Sequence, residues 1–101
     1  MLGNWLATRK KNFATLRSLA ERIGKEFESM PYDTLRDPTQ PVSYEREIDG
    51  IRLTWTADVL ETKSNGDIWF DIAFRAELPT VFGVMPTYSF YKRRDGTVYH
   101  K

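Results

Sequence analysis

Two rows of alternating side chains constrain this chain more than any other feature of it. Ile51, Leu53, Trp55, Ala57 and Val59 fall on one side of an extended backbone, and Arg52, Thr54, Thr56 and Asp58 on the other. Ile68, Phe70, Ile72, Phe74, Ala76 and Leu78 form a second apolar row, opposed by Asp67, Trp69, Asp71, Ala73, Arg75 and Glu77. A period of two over such lengths predicts two long strands, each with one face on a core and one in water.

The flanking turns extend this pattern. Residues 42–48 read as a strand, and Asp49-Gly50 predicts a two-residue hairpin. That turn pairs Ile48 with Ile51, Arg46 with Leu53, Tyr44 with Trp55 and Val42 with Ala57, and sets Glu47 opposite Arg52 on the wet face. Both faces agree with the register. Arg46 alone points inward, which suits an edge strand. The next turn, within Glu61 to Gly66, leaves alternatives open. Core residues are odd-numbered before it and even-numbered after it, so paired numbers must sum to an odd value. A four-residue loop from Thr62 to Asn65 pairs Val59 with Ile68 but opposes Arg52 to Arg75. A six-residue loop, or a bulge, sets Arg52 opposite Glu77 instead. After a break at 79–86, strand character resumes at Thr87 to Arg93. Arg94-Asp95-Gly96 then turns the chain into a last strand, and a three-residue loop there pairs Tyr91 with Tyr99.

Ahead of the strands, Phe13, Leu16, Ala20, Ile23, Phe27 and Met30 recur at helical steps, with Leu19 widening the stripe. Asn4 is the best N-cap candidate and Pro31 ends the segment, which gives a helix over about 4–30. Gly24 costs about 1 kcal/mol relative to Ala inside a helix, so it is expected to permit close packing on the sheet. Residues 31–41 hold three prolines and read as an irregular crossing. The whole chain, 1–101, is expected to be a single domain of the α+β class: one N-terminal helix packed on a curved four- to five-stranded antiparallel meander sheet, a two-layer sandwich. In element order alone this resembles the cystatin-type architecture. The glutamine-valine-glycine hairpin by which cystatins enter protease clefts has no counterpart, because the corresponding turn is Asp49-Gly50. The resemblance therefore implies a layout and no protease inhibition.

Composition narrows the function classes. Cysteine is absent, which excludes disulfides and thiolate chemistry and favours a cytoplasmic setting. The N-terminus lacks a signal-peptide pattern, and no apolar run approaches the roughly 18 residues a span needs, so no membrane is expected as partner. The net charge of +1 is uneven. Residues 1–25 carry six bases against Glu21, residues 26–80 twelve acids against five bases, and residues 81–101 four bases against Asp95. Such a distribution suits a basic helix lying beside acidic strands of its own chain, or a basic surface for an anionic partner.

Catalytic motifs are missing: the chain has no HExxH, phosphate-binding glycine loop or nucleophile elbow. His100, the one histidine, sits at the end of the chain and reads as a surface residue. No metal site, cofactor or catalytic residue is expected. Asp58 and Asp71 lie near each other on the wet face but read as part of a solvated charge ladder, since acid–base work needs a desolvated cleft. Trp69 is the one bulky apolar residue in the outward rows, and is either an interface anchor or covered by the chain itself. Val81 to Met85 is apolar between two prolines and is expected to pack as a further strand; if exposed, Phe82 and Met85 would be partner contacts. Three functions follow. The first is a small non-enzymatic protein-interaction module, or a self-associating homodimer, using Trp69, Asp58, Asp71, Phe82 and Met85. The second is a binder of nucleic acid or another anionic partner using Arg9, Lys10, Lys11, Lys92, Arg93 and Arg94. The third is an enzyme with carboxylate chemistry.

Overall fold

The Asp49-Gly50 turn sets the first register. Both residues take positive φ, 53° and 79°, the pair of values a two-residue type I′ turn requires. Strands β1 (Val42–Ile48) and β2 (Ile51–Thr62) then pair from Ile48↔Ile51 to Val42↔Ala57, as the alternation predicts. Strand β3 (Ile68–Ala76) follows through a three-residue loop, Ser64-Asn65-Gly66, in which the Gly66 amide donates to the Lys63 carbonyl and the Lys63 amide to the Asp67 carbonyl. That loop pairs Thr62 with Ile68, a register of the wrong parity for the core. One extra residue between Val59 and Glu61 restores it, so that Val59 meets Phe70 and Leu53 meets Ala76. The bulge is thus the alternative adopted, and Leu60 is extruded to solvent at it. Arg93 to Thr97 repeats the same hydrogen-bond pattern and joins β4 (Thr87–Lys92) to the two-residue β5 (Val98–Tyr99), with Tyr91 opposite Tyr99.

The five strands form one antiparallel meander in chain order, with helix α1 (Leu2–Glu28) packed on one face. This is the α+β sandwich expected. The computed structural model describes residues 2–36 and 42–100, Leu2 by its backbone alone. Leu16, Leu19, Ala20, Ile23 and Phe27 of the helix close over Leu53, Trp55, Ala57, Phe70, Ile72, Phe74 and Phe90. Each such large side chain contributes about 1.5–3 kcal/mol on burial. Gly24 makes the approach possible: a Cβ there would lie 2.3 Å from the Tyr88 ring. Arg46 points to the helix side, where it reaches Glu26 at 2.9 Å and covers the Trp55 ring.

Two boundaries differ from expectation. Asn4 lies inside the helix, which already starts at Leu2, so it caps nothing. Within the expected irregular crossing, Tyr32–Leu35 forms a short helical turn, α2. The sheet holds it there: Leu35 is buried in the core and the Tyr32 hydroxyl donates to the Gly66 carbonyl. The rest of that crossing, 37–41, lies outside the described residues.

Candidate functional site

The helix is longer than the sheet needs. At 1.5 Å per residue its 27 residues span about 40 Å, yet none of residues 3–15 is fully buried and the core contact begins at Leu16. Leu6, Arg9, Asn12 and Phe13 form a half-buried stripe on this overhang. It packs on the β3–β4 connection: Arg9 Nη1 donates to the Thr80 carbonyl at 2.8 Å, and Asn12 Nδ2 to the Pro79 carbonyl at 2.7 Å. Thr80 is itself fully buried, and its hydroxyl donates to the Val84 carbonyl at 2.7 Å. The connection closes as a 3₁₀ turn, Val81–Gly83, and is tied to β3 where the Phe74 amide donates to the Pro86 carbonyl.

This construction projects apolar side chains outward. Phe82 is 93% exposed and Val84 55%. Trp5, 48% exposed, has its ring 4.4 Å from the Arg9 guanidinium that grips the turn. Phe82 also has φ 55° and ψ 22°, the left-handed region, which costs an L-residue with a side chain roughly 1–2 kcal/mol. The expected further strand over Val81 to Met85 is therefore not formed. Only Met85 packs on the core, and Val81 is half-buried. The left-handed backbone at Phe82 and Gly83 reverses the chain before it can add to the sheet, and Thr80 goes inward in Phe82's place.

The outer sheet face is built differently. Trp69 is half-buried and stacks on Tyr91, with centroids 6.1 Å apart and planes at 15°; Tyr91 stacks on Tyr99 at 5.0 Å and 11°. Lys63 Nζ stands 4.4 Å over the Tyr91 ring, and the Arg93 guanidinium 4.6 Å over Tyr99. The Tyr99 hydroxyl donates to the buried Asp67 carboxylate at 2.7 Å. The aromatic groups thus form a ladder that fastens the short β5 to the sheet, with ring faces turned on one another and on cations. Beside it Asp58 and Asp71 are direct cross-strand partners. Partial burial, and secondarily the Asp58 charge, push the Asp71 carboxyl above its ordinary value. A hollow lined by Trp69, Ser89, Phe90, Tyr91 and His100 lies along β4, where Ser89 is the cross-strand partner of Asp71.

Several of the expected anion-binding bases point elsewhere. Lys92 is 3% exposed on the helix side of β4, and Nζ donates to the Glu28 carbonyl at 2.6 Å, where a cation suits the negative end of α1. It is withdrawn from any anion surface. Arg9 is half-buried on Thr80 and Trp5, and Arg93 lies on Tyr99. Lys10, Lys11 and Arg94 are exposed. His100 is also engaged: Nε2 lies 2.7 Å from Glu28 Oε1, and its ring meets Tyr88 edge-on. Burial pushes the Glu28 carboxyl up, but hydrogen bonds with His100, Lys25 and Tyr88 outweigh this and leave it below its ordinary value. Among the described residues no three His, Asp or Glu side chains are placed to hold a metal ion, and no helix is long and apolar enough to cross a membrane.

Trp5 lies ahead of the apolar stripe that begins at Phe13, and a single tryptophan there carries no periodic signal. Helical spacing does carry the signal for Arg9: it sits three residues after Leu6 and four before Phe13, on the apolar stripe. Comparison with protein-family models, with curated proteins and with solved structures gives no match.

Proposed function

We propose that the chain is a small, non-enzymatic interaction module of the cytoplasm that docks through the tip formed by the Val81–Gly83 turn and the N-terminal overhang of α1. The observation that carries this reading is Phe82: a bulky aromatic group, 93% exposed, on a strained backbone. A folded chain gains nothing internally from such a residue, and backbone strain persists only where surrounding structure enforces it. Here the enforcing bonds come from Thr80, Arg9 and Asn12. The aromatic ladder competes poorly as a docking surface, since its rings already stack on each other and on Lys63 and Arg93. Asp58 and Asp71 share an open sheet face, so a carboxylate enzyme has little support. The absence of cysteine supports the cytoplasmic setting.

The test uses the immobilised full chain beside Phe82→Gly and Trp69→Ala. Gly accepts the left-handed backbone, so that variant deletes the side chain and keeps the turn. Phe82→Gly should lose the captured partner, and Trp69→Ala should retain it. Equal recovery by wild type and Phe82→Gly would refute the tip.

A further inference from the structure

We infer that the tip docks on an anionic lipid surface, with Phe82, Val84 and Trp5 entering the headgroup boundary and Lys10 and Lys11 meeting the lipid charge. The inference rests on the docking reading above and names its partner. Five large apolar side chains are exposed among the described residues, and three of them, Trp5, Phe82 and Val84, belong to this tip. The other two are on the sheet, where Tyr44 already stacks on Trp55 and Leu60 marks the bulge.

Charge selects the occupant. The tip is assembled from the overhang, residues 3–15, which holds Arg9, Lys10 and Lys11 and no acid, and from residues 78–91, which hold no charged residue. Acids nearest in sequence stand beside bases: Glu21 faces Arg17 at 3.9 Å, and Glu77 shares a hollow with Arg52 and Arg75. Apolar groups with bases and no acids match an interface of acyl chains under negative headgroups. A second copy of the same tip would bring like charges together, which costs rather than contributes free energy. Trp suits the headgroup level, with its apolar body and polar N–H. Of the acids of residues 26–80, Glu45, Glu47, Asp58, Glu61 and Asp71 lie in strands, and Asp49, Asp67 and Glu77 in the turns beside them. Asp49 and Glu77 stand at the tip's end of the sheet, against Arg22 and in a hollow with Arg52 and Arg75, whereas Glu61, Asp67 and Asp71 lie toward the opposite end, which a tip-first approach keeps away from the lipid.

The experiment is flotation of the full chain with vesicles of phosphatidylcholine alone, and with about one-third phosphatidylglycerol added. Binding to the anionic vesicles and not the neutral ones is expected. Each lysine near the surface is worth about fivefold in partitioning, so Lys10→Ala with Lys11→Ala should weaken binding by about 25-fold. Phe82→Gly should weaken it by about tenfold or more, the value of burying one Phe side chain. Raising salt from about 0.1 M to 0.5 M should release the chain, because screening shortens the reach of these charges. Equal binding to both vesicle types, or binding to neither, overturns the inference. So does anionic binding unchanged by Phe82→Gly, which would mark a general anion surface of the kind nucleic acid also meets. If the chain floats with no vesicle but Phe82→Gly still abolishes capture of a protein partner or a dimer in sedimentation, the lipid assignment falls and the docking reading stands. If Phe82→Gly changes nothing in any of these assays, both fall.

Discussion

The two ends of this molecule are made from the same materials and use them in opposite ways. At the end carrying the three-residue turns, Trp69, Tyr91, Tyr99, Lys63 and Arg93 form one stacked ladder, Asp67 accepts from Tyr99, and Lys92 closes the last turn of the helix. At the other end Trp5, Phe82, Val84, Lys10 and Lys11 face solvent. Aromatic and basic composition alone therefore does not mark a site. What distinguishes the ends is how far the chain itself covers each side chain. At the tip the turn backbone is well satisfied and Trp5 lies against Arg9, while Phe82 and Val84 stay exposed.

The largest expected effect lies at the satisfied end. Lys92→Ala should destabilise the fold by about 2–3 kcal/mol, because it removes a charged donor and leaves the Glu28 carbonyl without it. Chemical denaturation would measure this, and vesicle binding should be unaffected. A stable Lys92→Ala variant with weakened anion binding would erase the contrast between the ends. Tyr99→Phe keeps the ring stack but strips the buried Asp67 carboxylate of one donor, at about 1–2 kcal/mol.

A smaller effect tests the sheet face between the two ends. The Asp71 carboxyl titrates above its unfolded range, so the folded state binds its proton more tightly than the unfolded chain does. Its contribution to stability is full below the unfolded value of about 3.9 and is lost as pH rises through the folded value. Asp71→Asn should accordingly raise the melting temperature at neutral pH and leave it unchanged near pH 3. An Asn variant less stable at neutral pH would show that the carboxylate is held by favourable contacts instead.

Much of the sheet was legible in the sequence, because the rules that govern its turns are local. The Asp49-Gly50 turn fixed every pair from Ile48↔Ile51 to Val42↔Ala57, and the Arg94-Asp95-Gly96 turn gave Tyr91↔Tyr99. The parity conflict between the two long strands already demanded a correction, but it could not say where. A bulge at Leu60 and a longer loop satisfy the same arithmetic. Lys92 had a signal that went unused, since it shares parity with Tyr88 and Phe90 on the helix side. The tip was illegible for a physical reason. Whether an apolar run between two prolines adds to a sheet or protrudes depends on backbone handedness at Phe82 and Gly83. Side-chain periodicity carries no information about that choice.

The central claim is that Phe82 serves an external surface and not the fold, and the unfolding free energy of Phe82→Gly tests it most directly. Deleting an exposed ring from a left-handed position should leave stability unchanged or raise it by up to about 1 kcal/mol, as strain relief offsets the added freedom of the unfolded chain. A loss of more than about 1 kcal/mol would show that the ring supports the turn, and would contradict the account.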